Sequence, residues 1–186
     1  MRPLSIPVIL GTTRKGRMSA PAAQFVYGQL RKREGITTEL IDIARLNLPV
    51  DDAGEAIKDS RFSASMERAD AVVIVTPEYN HSFPGLLKHV LDSCLKEYIH
   101  KAAGIVGVSA GPYAGARVIE NLVPVLRELG LVCIFWDVNF GLAQKAFDAS
   151  GQLIDPSYIH RADQFLDELV WMAKVLRNGR ENIPLK

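Results

Sequence analysis

Apolar residues fall into short β-branched runs that alternate along the chain with segments of helical periodicity. The clearest run, Ala-Val-Val-Ile-Val at residues 71–75, stops at Thr76-Pro77. A near-continuous apolar run of this length is typical of a strand buried on both faces, and proline cannot continue the hydrogen-bonded ladder. Pro84-Gly85 then opens a pattern that predicts a helix over residues 85–97. A buried strand, a polar loop and a helix therefore follow one another.

The same alternation predicts four further strands and four further helices. Ser19 is expected to cap the first helix, because serine is a favoured N-cap residue and Pro21 is tolerated in a first turn. Residues 45–58, with Pro49 and Gly54, and residues 137–154 are expected to be irregular. The further strands are predicted at residues 4–10, 37–43, 102–108 and 131–135, and the further helices at residues 19–34, 60–68, 118–129 and from 155 onward. The last helix is expected to bury Ile159, Ala162, Leu166, Leu169, Val170, Ala173 and Leu176.

Strands that alternate with helices favour a doubly wound α/β fold, with a parallel sheet covered by helices on both faces. Periodicity does not separate the two common strand orders, but five strands fit the flavodoxin-like order 2-1-3-4-5. In that order the loop after Leu10 and the loop after Val75 meet at the carboxyl edge, where open α/β sheets bind ligands. No repeat or linker is apparent, so residues 1–186 are expected to form a single domain.

Composition and charge narrow the class of protein. Of the 186 residues, 48% are hydrophobic and 23% are charged, as in an ordinary soluble globular protein. The formal charge of 22 − 21 = +1 gives no field that favours nucleic acid or an anionic membrane as a partner. Cys94 and Cys133 lack the spacing of a zinc site or a redox pair, and we expect them to be buried thiols in a reducing compartment. We therefore expect a cytoplasmic protein with no metal site, no signal peptide and no membrane span.

The loop after the first strand, residues 11–19, has the chemistry of an anion site. Backbone N–H groups and the positive end of the dipole at a helix start attract anions, and Arg14 and Arg17 can add charge-assisted hydrogen bonds. The glycine spacing is neither that of a dinucleotide loop nor that of a P-loop, which favours a phosphomonoester over a pyrophosphate. A basic, solvated loop is the alternative that we rank second.

Three motifs resemble those of the NADPH-dependent FMN reductase family, flavodoxin-like enzymes that include quinone, azo-dye and chromate reductases. Residues 11–19 resemble the family's FMN phosphate loop, and residues 109–117 resemble its third loop. Thr-Pro-Glu-Tyr-Asn at residues 76–80, with the helix that follows, resembles the loop at the isoalloxazine ring and is the most specific of the three. His89 and Tyr113 depart from the family's pattern, and Tyr113 could narrow the surroundings of the ring and shift the choice of acceptor.

The resemblance implies bound FMN, NADPH or NADH as the electron donor, and a small-molecule acceptor such as a quinone, a flavin or an azo compound. Backbone groups of residues 77–80 would meet the flavin ring, and N–H groups of residues 109–111 would face its pyrimidine edge, where reduction builds negative charge. No side chain is required as an acid or a base, so we assign no catalytic residue. The implied cofactor-binding residues are Gly11, Thr12, Thr13, Arg14, Arg17, Ser19, Pro77, Glu78, Tyr79, Asn80, Ser109, Ala110 and Gly111.

Two other functions and the assembly state stay open. A flavin-binding electron carrier or regulatory partner is the first alternative, although flavodoxin carriers are usually acidic and this chain is nearly neutral. A fold relative that has lost its flavin is the second. A homodimer or homotetramer is expected, because related family members dimerise and the helix predicted at residues 85–97 has a wide apolar face. That face carries Leu86, Leu87, Val90, Leu91, Cys94 and Leu95.

Overall fold

Every pair of named strands is parallel, as the alternation of strands and helices predicts. The computed structural model describes residues 2–51 and 57–185. Its strands are β1 Leu4–Ser5, β2 Val8–Leu10, β3 Ile36–Thr37, β4 Leu40–Asp42, β5 Ala71–Pro77, β6 Ala102–Val108, β7 Val132–Cys133 and β8 Val138–Phe140. Its α-helices are α1 Ser19–Arg31, α2 Ser60–Arg68, α3 Gly85–Asp92, α4 Ala116–Glu128, α5 Ala143–Ala146 and α6 Ser157–Asn182.

Hydrogen bonds order the main sheet as β4-β2-β5-β6-β7, with β8 also paired to β6. β1 and β3 continue β2 and β4, since Ile6 N donates to Thr37 O at 2.9 Å and Val8 N donates to Glu39 O at 2.8 Å. Pro7, which has no N–H to donate, separates β1 from β2. Numbered along the chain, the five predicted strands lie in the order 2-1-3-4-5.

The two central strands, β5 and β6, are buried along their whole length. One apolar core lies under α1 and α6 and includes Phe140 and Phe165, and the other lies under α2, α3 and α4 and includes Phe62 and Leu91. The prediction of a sheet covered on both faces is confirmed. The strand predicted at residues 102–108 and the helix predicted at residues 60–68 are also confirmed.

The fifth strand and the segment after it differ from the sequence prediction. The strand predicted at residues 131–135 is only the short strand β7, because the chain leaves the sheet at Phe135 and Trp136 and rejoins it as β8 at Val138. The N–H groups of these two residues donate to the Glu168 carboxylate on α6, at 3.1 and 2.9 Å. The segment predicted as loop therefore contains β8 and α5.

The helical predictions are wrong at several positions, and α1 ends at Arg31 rather than at residue 34. α3 ends at Asp92 rather than at residue 97. The Ser93 hydroxyl, directly after the helix, donates to Val90 O at 2.7 Å, and residues 96–98 form a separate 3-10 turn. Ser19 is the first helical residue and not the cap, which is Met18. Ile159 was expected in the buried stripe of α6 but is 43% exposed.

Within the segment predicted to be irregular, residues 45–58, the structure describes residues 45–51 and 57–58. Gly54 lies outside the described residues, whereas Ile43–Arg45 form a single 3-10 turn. No helix in residues 2–51 or 57–185 is long and apolar enough to cross a membrane. The cytoplasmic location stays a prediction.

The amino edge of the sheet is fastened by Asp70, the residue before β5, whose side chain is fully buried. Its carboxylate accepts two hydrogen bonds from Arg2, at 2.8 and 2.9 Å, and one from Arg180 at 3.0 Å. Arg177 lies 3.5 Å away, and the backbone N of Ser5 donates at 3.1 Å. One carboxylate therefore joins the N-terminal strand, the central strand and the last helix.

We expect Asp70→Asn to lower the free energy of unfolding by about 3–5 kcal/mol, because removing one partner of a buried ion pair leaves charge uncompensated. The matched control is Asp167→Asn, whose carboxylate is 72% exposed and pairs with Arg33. That change should cost less than about 1 kcal/mol. Urea unfolding of the two variants checks this prediction, and equal losses would contradict it.

Candidate functional site

Three loops begin side by side at the carboxyl edge of the sheet. They are the first loop, residues 11–18 after β2, the second loop, residues 78–84 after β5, and the third loop, residues 109–115 after β6. Gly11 N donates to Val75 O, and Glu78 N donates to Val108 O, each at 2.8 Å. These bonds tie the start of the first and second loops to the neighbouring strand. The predicted meeting of these loops is confirmed.

A buried hydroxyl group that has no partner lies directly after the first loop, at the start of α1. Ser19 is 1% exposed, and its Oγ makes no hydrogen bond within the described chain. Buried polar groups in native proteins are nearly always hydrogen-bonded, so an exception needs an explanation. Ser19 opens the 13-residue helix α1, where backbone N–H groups and the helix dipole favour an anion. The unpartnered hydroxyl therefore marks the start of α1 as a place for an anionic ligand.

Gly11 contributes to this loop through its lack of a side chain. A Cβ at this position would lie 2.9 Å from Leu87 Cδ2 and 3.1 Å from Val75 O. A side chain at this position would have to displace Leu87 and press against Val75 O, so the close approach of β2 to β5 favours glycine.

The two arginines of the first loop have different partners. Arg17 forms an ion pair with Asp42 at the end of β4 and donates to Thr12 O. Both side chains of that pair are mostly buried, so Arg17 fastens the loop to β4. Arg14 is exposed, and its guanidinium lies 4.0 Å from the centroid of the Tyr79 ring. Of the two arginines predicted among the phosphate ligands, Arg14 has the more accessible charge.

Tyr79 connects the first loop to the second. Its hydroxyl lies 3.4 Å from Thr12 Oγ1, while Arg14 covers its ring. Thr12 is 1% exposed and Thr13 is exposed. The side chain of Tyr79 therefore lies on the side of the candidate phosphate residues.

The second loop is a tight turn with an unusual backbone. Tyr79 N donates to Ser82 O at 2.8 Å, and Ser82 N donates back to Tyr79 O at 3.0 Å. Asn80 and His81 between them have φ angles of 50° and 67°, as a two-residue type I′ turn requires. Positive φ is uncommon outside glycine, and such strain is concentrated at functional sites. Pro77 ends β5 and is buried, whereas Asn80 is exposed beside the edge.

In the third loop, two of the three N–H groups expected to face a ligand already donate to acceptors in the protein. Ser109 N donates to Phe140 O at 2.9 Å, and Gly111 N donates to Ser109 Oγ at 2.9 Å. Of the three N–H groups expected to face a ligand, only that of Ala110 has no protein acceptor in the described chain. Gly115 closes the loop with a φ of 78°, and a Cβ there would lie 2.8 Å from Val108 N. The loop therefore lies directly against β6.

Glu78 is the buried acid of the site. Its side chain is 9% exposed, and its Oε1 lies 3.4 Å from Arg117 Nη1 in the first turn of α4. Its other oxygen, Oε2, is buried without a partner in the described chain. The Arg117 guanidinium also lies 4.1 Å from the centroid of the Tyr113 ring.

Sequence reasoning gave no role to two residues that the structure places here, Asp42 and Arg117. Asp42 has a recognisable signal, because it ends a strand next to the first. Arg117 lies within the third motif, but its pairing with Glu78 joins residues 39 positions apart. No local pattern reports that contact.

The two thiols do not supply a nucleophile. Burial raises the pKa of the Cys94 thiol, and it raises the pKa of Cys133 to about 11. Both are therefore protonated at neutral pH, and the reactive form of cysteine is the thiolate.

Comparison with known proteins gives consistent similarities. The model of the NADPH-dependent FMN reductase family matches residues 4–145. An NAD(P)H-dependent FMN reductase of Pseudomonas aeruginosa is 32% identical, over 90% of this chain and 94% of its own length. A quinone reductase of Pseudomonas putida is 30% identical, over 81% of this chain and 85% of its own length. Among solved structures, a flavoenzyme NAD(P)H:(acceptor) oxidoreductase of Paracoccus denitrificans superposes with a TM-score of 0.76 at 24% identity, covering 92% of this chain and 97% of that chain.

Proposed function

The chain belongs to the NADPH-dependent FMN reductase family and is an FMN-dependent oxidoreductase that takes electrons from NAD(P)H, and we propose that quinones are among its acceptors. The sequence-based predictions of family, flavodoxin-like fold, cofactor and enzyme class are confirmed. The acceptor proposal is supported by the quinone reductase of Pseudomonas putida, which matches this chain over most of both lengths. A small planar acceptor also suits the third loop, where Ala110, Gly111 and Ala114 have short side chains or none.

The residues of the first loop fit the single phosphate of FMN, and the observation that carries this proposal is the buried, unpartnered hydroxyl of Ser19. Arg14 supplies an accessible positive charge nearby, and Thr12 and Thr13 supply further polar groups. We propose that these four residues hold the phosphate, that Gly11 permits the approach of the chain, and that Arg17 keeps the loop in place through Asp42.

The second and third loops then surround the ring. We propose that backbone groups of residues 77–80 contact one edge, with the turn at Asn80 fixing their positions. The N–H of Ala110 would donate to the pyrimidine edge, a proposal supported by the protein acceptors that the N–H groups of Ser109 and Gly111 already have. Bound FMN supplies a ring that takes up an electron pair from NAD(P)H and releases it to the acceptor. The protein's contribution is to bind, orient and leave one face open, so we assign no acid or base.

Arg14→Ala and Ser19→Ala should each weaken the binding of FMN more than the binding of riboflavin, because riboflavin has no phosphate. A charge-assisted hydrogen bond contributes about 1.5–3 kcal/mol, so Arg14→Ala should raise the Kd for FMN about 10–100-fold. The Kd for riboflavin should change less than about 2-fold. Flavin fluorescence titration of the apoprotein measures both ligands, and Arg31→Ala, an exposed arginine at the other end of α1, is the control. Equal losses for the two ligands would remove Arg14 and Ser19 from the phosphate site.

The reductase and the electron-carrier functions differ in whether NAD(P)H reaches the ring directly. We expect NAD(P)H alone to bleach the absorbance of the bound flavin without air, and a quinone to restore it. Kinetics should be ping-pong, because both substrates use one open face. Anaerobic stopped-flow absorbance measures both half-reactions. Flavin that stays oxidised in excess NAD(P)H, but is reduced by a one-electron donor, would favour the carrier.

We propose that the protein assembles as a homodimer, although much of the apolar face predicted on the 85–97 segment is occupied. Leu87, Val90, Leu91 and Cys94 are buried in the protein's own core, while Leu95 is 63% exposed. Val123 on α4, which packs on the same side of the sheet as α3, is 37% exposed, and Ile99, after the 3-10 turn of residues 96–98, is 46% exposed. Large exposed apolar groups of this kind are common at interfaces between copies.

Leu95→Glu should convert the dimer to a monomer at micromolar concentration, because a charge would be buried in the interface. Ile154→Glu is the control, since Ile154 is similarly exposed, at 57%, on a different segment. Sedimentation velocity checks both variants. A parent protein that is monomeric at the same concentration would contradict the proposal.

A further inference from the structure

Arg117, at the carboxyl edge of the sheet, is a cation at an electrostatically unfavourable position. Arg117 is the second residue of α4, in the first turn, and that turn has no acidic residue. The positive end of the helix dipole disfavours a cation there. The side chain is 38% exposed, so it is neither removed from solvent nor free on the surface.

Two neighbours hold the Arg117 guanidinium in one place. Glu78 Oε1 lies 3.4 Å from Nη1, and the Tyr113 ring centroid lies 4.1 Å from the guanidinium carbon. Glu78 is nearly buried, and Arg117 is its only cationic partner in the part of the chain that the structure describes. Moving Arg117 away would leave a buried carboxylate without a compensating charge, which is costly. The guanidinium is therefore fixed in advance of any ligand.

The backbone around Arg117 is also tied to the second loop. The Asn121 side-chain amide donates to Arg117 O at 2.8 Å and to His81 O at 2.9 Å. Since His81 lies in the tight turn, α4 and the second loop form one connected unit. Arg117 consequently keeps its position relative to the proposed ring site.

Most of the hydrogen-bonding capacity of Arg117 remains available. A guanidinium carries five N–H donors, and within residues 2–51 and 57–185 its one polar side-chain partner is Glu78. Tyr113, 62% exposed, adds a flat aromatic surface beside these donors. A fixed cation with spare donors next to an aromatic ring suits a planar ligand that carries an anionic group.

We propose that Arg117 is a specificity-determining residue that binds an anionic group, such as a phosphate, carboxylate or sulfonate, on a substrate of the reductase, and that Glu78 and Tyr113 position it. This inference rests on the proposed function, because it places that substrate beside the third loop. Two substrates offer the same chemistry, the electron donor and the acceptor. The 2′-phosphate distinguishes NADPH from NADH, and a sulfonate distinguishes 1,4-naphthoquinone-2-sulfonate from 1,4-naphthoquinone.

The test compares holoenzymes carrying Arg117, Arg117→Lys or Arg117→Gln on both matched pairs. In Arg117→Gln, kcat/KM for one member that carries the additional 2′-phosphate or sulfonate should fall at least about 10-fold, and its KM should rise, while the counterpart that lacks that group changes less than about 3-fold. Arg117→Lys should retain part of the preference, and added salt should weaken the preference in the parent. If the enzyme loses its preference within the NADPH and NADH pair, Arg117 contacts the electron donor. If it loses its preference within the naphthoquinone pair, Arg117 contacts the acceptor. Arg127→Gln, an exposed arginine near the other end of α4, is the control.

A binding measurement gives a second readout. Calorimetric Kd values for NADP⁺ and NAD⁺ should lose their difference in Arg117→Gln if the nucleotide is the anion. If the acceptor is the anion, the Kd for naphthalene-2-sulfonate should rise instead, with naphthalene as the uncharged comparison. Tyr113→Leu leaves the Glu78 pair intact and should reduce the preference a few-fold, so the proposal stays testable if Arg117→Gln does not fold.

In each pair, equal losses for the members with and without the additional 2′-phosphate or sulfonate would overturn the proposal, since Arg117 would then not recognise that group. Unchanged preference in both Arg117→Gln and Tyr113→Leu would also overturn it. The proposed function is judged separately by the turnover of NADH with 1,4-naphthoquinone in the parent enzyme, because neither substrate carries the additional 2′-phosphate or sulfonate.

Discussion

The pairing of β5 with β6 along all seven residues is the constraint on which the rest of the structure depends. Both strands are buried on both faces, so a shift of one residue would turn apolar side chains away from the cores that they fill. Because the register runs from Ala71 beside Ala102 to Pro77 beside Val108, the second and third loops start at the same height. The positions of Glu78 and Ser109 follow from this register rather than from interactions within the loops.

The close approach of the backbone at Gly107 in β6 and Gly115 before α4 also determines the geometry of the site. Gly107 in β6 leaves space for Gly115, and a Cβ at Gly107 would lie 2.8 Å from Gly115 O. The start of α4 is therefore set against the sheet, which brings Arg117 to Glu78. A small residue inside a buried strand thus decides where a charged residue outside the strand lies.

The features that the sequence predicts well are those specified by their own residues. The apolar run at residues 71–75, the strand order and the meeting of the first two loops follow from local pattern and from general rules for parallel sheets. The break at Phe135 and Trp136 does not, because it depends on Glu168, more than 30 residues later in α6. The different contacts of Arg14 and Arg17 likewise could not be predicted from the local sequence. Their residue type and spacing suit a phosphate equally well, and only the position of Asp42 separates them.

The ring of arginines around Asp70 has a geometric consequence for how the chain can be rearranged. Arg2 lies 4.0 Å from Glu181, and Arg177 donates to Arg2 O at 3.1 Å, so residues near both chain ends are neighbours in space. They meet at the start of β5, whereas the loops of the site leave its other end, and a strand of that length spans about 20 Å. A circular permutant in which a short linker joined the segments around Arg2 and Glu181 would keep the sheet order unchanged. For the same reason, a surface tether or a fusion partner attached there would face away from the proposed flavin site.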